Sequence, residues 1–210
     1  MMVRRALLIA LAAALPAAVA WAEERAPSPD WPCMQRLVPE LTAGAFWNGP
    51  APAAGTDWRA DSRVADLIGA IANRDLPVDE GEAKLKAFID SLQADQRPTV
   101  LPELFAGLVD AVNGERHDVI VRLEELGRRQ KSMADLVNKV TDELRAVPVD
   151  AAGDDAARRQ EIDQRRNFLI RNYQQVQRTI QYACQVPADL EARLGRYART
   201  LAAALPPAQQ

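Results

Sequence analysis

The chain has 210 residues, 26% charged and 48% apolar, with a formal charge of −3. This bounds it to one domain, or a domain with an appendage, and argues against wholesale disorder. The mild acidity argues against a nucleic-acid binder. One histidine, two cysteines and four serines leave most hydrolase and metal-site chemistries without their usual groups, so no cofactor and no metal is expected.

The chain opens on an address. Met1 to Arg5 is a short basic start, Ala6 to Ala20 an apolar run, and Ala20-Trp21-Ala22 a small-x-small site ahead of Glu23-Glu24. These are the parts of a secretory signal peptide over residues 1–22, at the short edge for crossing a bilayer. Cleavage after Ala22 leaves a mature charge of −5 and a periplasmic protein with no stable membrane insertion. Arg4-Arg5 lacks the surroundings of a twin-arginine signal. In an oxidising compartment Cys33 and Cys184 are expected to form one structural disulfide. Closing a loop of that length restricts the unfolded chain by about 5 kcal/mol at the upper end. The close Cys-x-x-Cys spacing of a redox-active pair is absent.

Residues 23–57 differ from everything that follows. Pro27, Pro29, Pro32, Pro39, Pro50 and Pro52 interrupt the segment, and it carries Trp31 and Trp47, with Trp58 just beyond. Such composition predicts an extended arm with at most a short helical turn around 40–46. The rings are expected to fasten the arm to a helical body by burying large apolar area. The alternative makes Trp31, Trp47 and Trp58 contacts for a ligand or partner. The string Asp30-Trp31-Pro32-Cys33-Met34-Gln35-Arg36-Leu37-Val38-Pro39-Glu40-Leu41, with Trp47-Asn48-Gly49-Pro50, resembles the N-terminal signature of uncharacterised secreted helical proteins of proteobacteria. That resemblance implies a leader, a Trp-Pro-Cys arm and a helical remainder; it implies no activity and no catalytic residue.

From residue 58 the pattern is helical to residue 205, with 206–210 a tail. The first helix, about 58–74, carries Val64, Leu67, Ile68 and Ile71. Asp79 with Glu82 reads as an acidic capping box opening a helix over 79–96 with Leu85, Phe88, Ile89 and Leu92. Thr99 is expected to cap the third helix, about 100–147, with Pro102 tolerable in its first turn.

That third helix carries the sharpest pattern. Phe105, Val109, Val112, Val119, Leu123, Leu126, Met133, Val137, Val140, Leu144 and Val147 recur with a period near 3.5, and Arg116 and Gln130 are polar members of the same stripe. The phase does not slip at Asn113-Gly114, which are therefore internal to one rod of about 65 Å. A matching stripe runs through Ile162, Arg166, Leu169, Tyr173, Val176, Ile180 and Ala183 on a helix about 155–186. It continues through Leu190, Leu194, Tyr197 and Leu201 on 188–205. One antiparallel register pairs Leu144 with Ile162, Met133 with Tyr173, Leu126 with Ile180, Val112 with Leu194 and Phe105 with Leu201. Pro187 either kinks the returning strand or reverses it; the kink is preferred. The expected fold is all-α, a long antiparallel hairpin with two short helices and an extended arm. A compact four- or five-helix bundle is the alternative.

No constellation commands a reaction. His117 has no second histidine and reads as solvated. The Asp150–Glu161 span lacks the glycine and ligand of a calcium loop, so Asp154-Asp155 are better placed at a helix N-terminus. Arg116, Gln130 and Arg166 are expected to fix register or face solvent, with the floor of a small polar pocket as the functional alternative. The expectation is a non-enzymatic adaptor, chaperone-like factor or accessory subunit with a protein partner in the cell envelope. Self-association is left open. A binder of a small apolar ligand near the tryptophans is the second reading.

Overall fold

The computed structural model describes residues 28–206. The leader, its cleavage site, the first residues of the arm and residues 207–210 lie outside them. Five α-helices follow a single 3-10 turn at Ala43–Ala45: α1 Ser62–Ile71, α2 Val78–Ser91, α3 Arg97–Arg145, α4 Asp154–Ala183 and α5 Val186–Ala203. No strand occurs among the described residues.

The helix starts depart from the sequence reading for local reasons. At α1 the cap is Asp61, whose carboxylate accepts the Arg63 backbone N–H at 2.9 Å, so the helix begins later than residue 58. The Asp79–Glu82 capping box does not form. Pro77 sits at the N-cap of α2 without a side-chain bond, and Glu82 is turned toward α5, where it meets Arg196. Nor does Thr99 cap α3; that helix opens at Arg97, with Pro98 in the first turn, where its missing N–H is harmless.

The α3 helix runs unbroken through Asn113-Gly114 for 49 residues, a rod of about 73 Å. Its mate is bent. The α4 helix ends at Ala183 and α5 resumes at Val186, and both pack along α3, so Pro187 kinks the return without reversing it. Proline supplies no N–H for the preceding turn yet fits the first turn of a new helix. At the far end Gly153 (φ 60°) makes the turn into α4, a conformation that favours glycine. The expected register is seen in the clusters. Leu144 packs with Val140, Val147 and Ile162, and Met133 with Val176, Ile180, Leu126 and Tyr173. Phe105 and Val112 share the main core with Leu190, Leu194, Tyr197 and Leu201.

That main core lies at one end only. There α1 contributes Val64, Ile68 and Ile71, and α2 contributes Leu85 and Ile89, against Leu101, Leu104 and Leu108 of α3. Burying each such side chain stabilises by roughly 1.5–3 kcal/mol. The arm crosses the same end. Asn113 Oδ1 accepts the Leu41 N–H at 2.8 Å and its amide donates to the Leu41 carbonyl at 3.0 Å. Further on, Gly127 of α3 is buried under the Asp30 carbonyl, where any Cβ would collide with the arm's backbone.

Candidate functional site

Two places bear on the role expected from the sequence: the junction of arm and hairpin, and the part of the hairpin beyond it. At the junction the Cys33 and Cys184 sulfurs are bonded, with Cα atoms 5.6 Å apart, tying the arm to the break between α4 and α5. The Gln35 side-chain amide donates to the Cys184 carbonyl beside it. On the arm's other side the Asp30 carboxylate meets Arg128 at 3.3 Å and Lys131 at 3.1 Å. These two cations, Lys131 foremost, hold its pKa below the ordinary carboxylate value.

Arg116 is 3% exposed, so of the two expected roles, fixing register or facing solvent, the second does not hold. Its two terminal nitrogens donate to the Pro187 and Val38 carbonyls, both at 2.6 Å. One guanidinium thus satisfies an arm carbonyl and a carbonyl of the kinked return, and burial lowers its pKa against the pull of Glu191. It lines a recess of about 130 Å³ together with Trp31, Val38 and Pro187. Gln130 is half-buried on α3. Arg166, on the distal half of α4, pairs with Asp163 at 2.7 Å. The three polar stripe residues therefore do not converge.

The tryptophans divide similarly. Trp47 is buried and stacks on Phe105, ring centroids 4.8 Å apart, with its indole N–H donating to the Pro50 carbonyl at 2.8 Å. Trp58 is half-buried over Gly107, and its indole N–H reaches Asp110 at 3.2 Å, while Arg59 lies 4.0 Å over the ring. Trp31 is half-buried and bonds within the arm to the Gln35 carbonyl at 2.8 Å. Trp47 and Trp58 are engaged by neighbouring side chains; Trp31 borders the recess of about 130 Å³.

Arg193 is a residue the sequence reading missed. It is 9% exposed and donates to the carbonyls of Ile71, Asn73, Arg74 and Leu76 at 2.6–3.3 Å, and to the Tyr197 hydroxyl at 3.4 Å. The signal was present: Arg193 falls three residues after Leu190 and four before Tyr197, on the buried face of α5. It organises the α1–α2 connection by holding its carbonyls.

Beyond Lys131 the surroundings change. Among the described residues the α4 helix packs substantially against α3 alone, so the last 24 Å or so of the hairpin has no third described helix beside it. Phe168 is 56% exposed, Leu136 48% and the tip residue Val149 85%. Leu136 lies one heptad before Glu143, and Phe168 three residues after Arg165. Both therefore sit on the flank crossed by the Glu143–Arg165 ion pair. The opposite flank holds a groove of about 390 Å³ floored by Val137, Ile170 and Tyr173 and edged by Asn138 and Gln174. Residues 128–183 carry eleven basic against eight acidic side chains, net +3, whereas the rest of the described chain carries twelve against nineteen, net −7. Among the described residues no cluster of three or more metal-ligating side chains forms, and no helix is long and apolar enough to cross a membrane. No family model matches the chain, and no curated protein or solved structure was found to resemble it.

Proposed function

We propose that the mature protein is exported to the periplasm and acts there without catalysis, as a helical adaptor, chaperone-like factor or accessory subunit of an envelope complex. The observation that carries this reading is the uncovered outer third of the hairpin. Leu136 and Phe168 stand exposed on a two-helix rod whose other end is firmly anchored. An isolated domain gains nothing from extending two helices past its own core, whereas a partner gains an apolar and basic surface held at a fixed distance from the body.

Removing matched heptads tests it. Deleting residues 132–145 together with 161–174 keeps the seam in phase and preserves the Asp30–Lys131 contact. The shortened protein is expected to stay helical and disulfide-bonded while losing its partner in envelope cross-linking that the full chain sustains. Retention of every cross-linked partner by the shortened chain would refute the adaptor reading.

A further inference from the structure

At the end of the body remote from the rod, α2, the start of α3 and α5 enclose an open cleft of about 610 Å³. Its walls carry four cations, Lys86, Arg97, Arg196 and Arg199, against two carboxylates, Glu82 and Asp90. Two of the cations are engaged. Glu82 is gripped by Lys86 at 2.9 Å and Arg196 at 2.5 Å, and takes a third bond from the Thr200 hydroxyl at 3.2 Å. Lys86 first, then Arg196, hold Glu82 ionised down to a pKa of about 2, so this carboxylate is saturated.

Arg97 and Arg199 are in a different position. Neither has a carboxylate within ion-pair distance among the described residues, and Asp90 on the rim reaches neither. The Arg97 Nε is shielded from solvent and lacks an acceptor. Two other arginines share that condition at Nε, but Arg116 uses both terminal nitrogens on carbonyls and Arg166 holds Asp163. Arg97 has no hydrogen-bond acceptor recorded for any of its nitrogens among the described residues. A guanidinium with no acceptor from the protein takes one from water or from a ligand in the cleft. Arg97 also stands in the first turn of the 49-residue α3, whose N-terminus has no side-chain cap and whose dipole favours negative charge there. The cleft's volume is that of a small-molecule site, and Ile89 and Ala203 give it an apolar side.

We infer that this cleft binds a small anionic ligand, a phosphate ester or a carboxylate with a short aliphatic part, with the Arg97 and Arg199 guanidinium groups of its walls as the cations open to it. Guanidinium forks match both oxyanions in bidentate geometry. The site lies on the body and does not depend on what the rod binds.

The test follows the Arg97 Nε–H and Ala203 methyl resonances while the full mature chain is titrated with inorganic phosphate, with butyrate, and with neutral butanol. A saturable shift is expected with at least one of the anions and none with butanol; which anion binds assigns the head group. Affinity should fall at least tenfold in Arg97→Gln and in Arg199→Gln, weaken with added salt, and stay unchanged in Arg171→Gln on the rod. Should Arg97→Gln lose its native melting transition, Arg199→Glu carries the test, because Arg199 is exposed and its replacement leaves the core intact. The proposal is overturned by no saturable shift with either anion, by an equal response to butanol, or by undiminished affinity in a folded variant at Arg97 or Arg199.

Discussion

The two ends of α3 are built from similar stripes and end in different structures. At the N-terminal end, Leu101, Leu104 and Phe105 are buried on several sides by α1, α2, α5 and Trp47 of the arm. At the C-terminal end, Val140, Leu144 and Val147 meet Ile162, with Leu169 and Ala151 at the margin. The period of the stripe is the same; the number of neighbours is not. Polar groups follow this divide. In the body, Arg116 and Arg193 are drawn inside to satisfy carbonyls that irregular segments leave unpaired. At the rod tip, Arg159 serves the Leu144 and Val147 carbonyls at 3.0 and 2.5 Å, at the edge of water. The seam of a hairpin is thus set by periodicity, whereas its stability at each level is set by what covers it.

The sharpest contrast comes from one substitution made at both ends. Leu194→Ala opens a cavity in a site with no exposure and should cost about 3–5 kcal/mol in denaturant unfolding. Leu144→Ala removes the same atoms from a two-helix seam that can collapse, and should cost about 2 kcal/mol. Equal losses would mean that the rod is as tightly enclosed as the body.

The arginines provide a second, smaller contrast. Arg193→Met strands several carbonyls of the α1–α2 connection and should lower stability by about 1–3 kcal/mol. Arg159→Met exposes its two carbonyls to water, and a loss below about 1 kcal/mol is expected. Thermal melts of the two variants give the comparison directly, and reversal of their order would contradict it.

The smallest effect is a pH dependence at Glu82 in the body. Glu82 has its pKa lowered from 4.5 to about 2, by Lys86 first and Arg196 second. Because the folded value is depressed, its contribution is complete above pH 4.5 and is lost as pH falls through about 2. In Glu82→Gln the acid limb of the stability curve between those values should flatten, and an unchanged limb would contradict this account.

The helices and the hairpin register were legible because they rest on spacing, and the Cys33–Cys184 bond because an exported chain with two cysteines has one pairing to make. A stripe with period 3.5 and no phase slip at Asn113-Gly114 admits one rod; its mirror-image partner leaves registers one heptad apart, and the short loop between the helices selects among them. Helix starts were less legible. Asp79 and Glu82 have the spacing of a capping box, but the Arg196 guanidinium, 114 residues away in sequence from Glu82, offers its carboxylate a stronger, charge-assisted bond. Arg116 and Arg193 were hidden for a related reason. Their acceptors are backbone carbonyls of the arm, the kink and a loop, which have no side-chain signature. Arg97 and Arg199 stand more than 100 residues apart in sequence, on helices that only the folded hairpin brings together.

The divide between an anchored body and an uncovered rod is tested most directly by native-state hydrogen exchange along α3. Amides of residues 101–123 should exchange only with global unfolding, and those of 133–145 through local opening at a lower free energy, because fewer buried contacts must break. A clear step in protection near Lys131, where the arm's last contact lies, is the expected result. Uniform protection from one end of α3 to the other would contradict it.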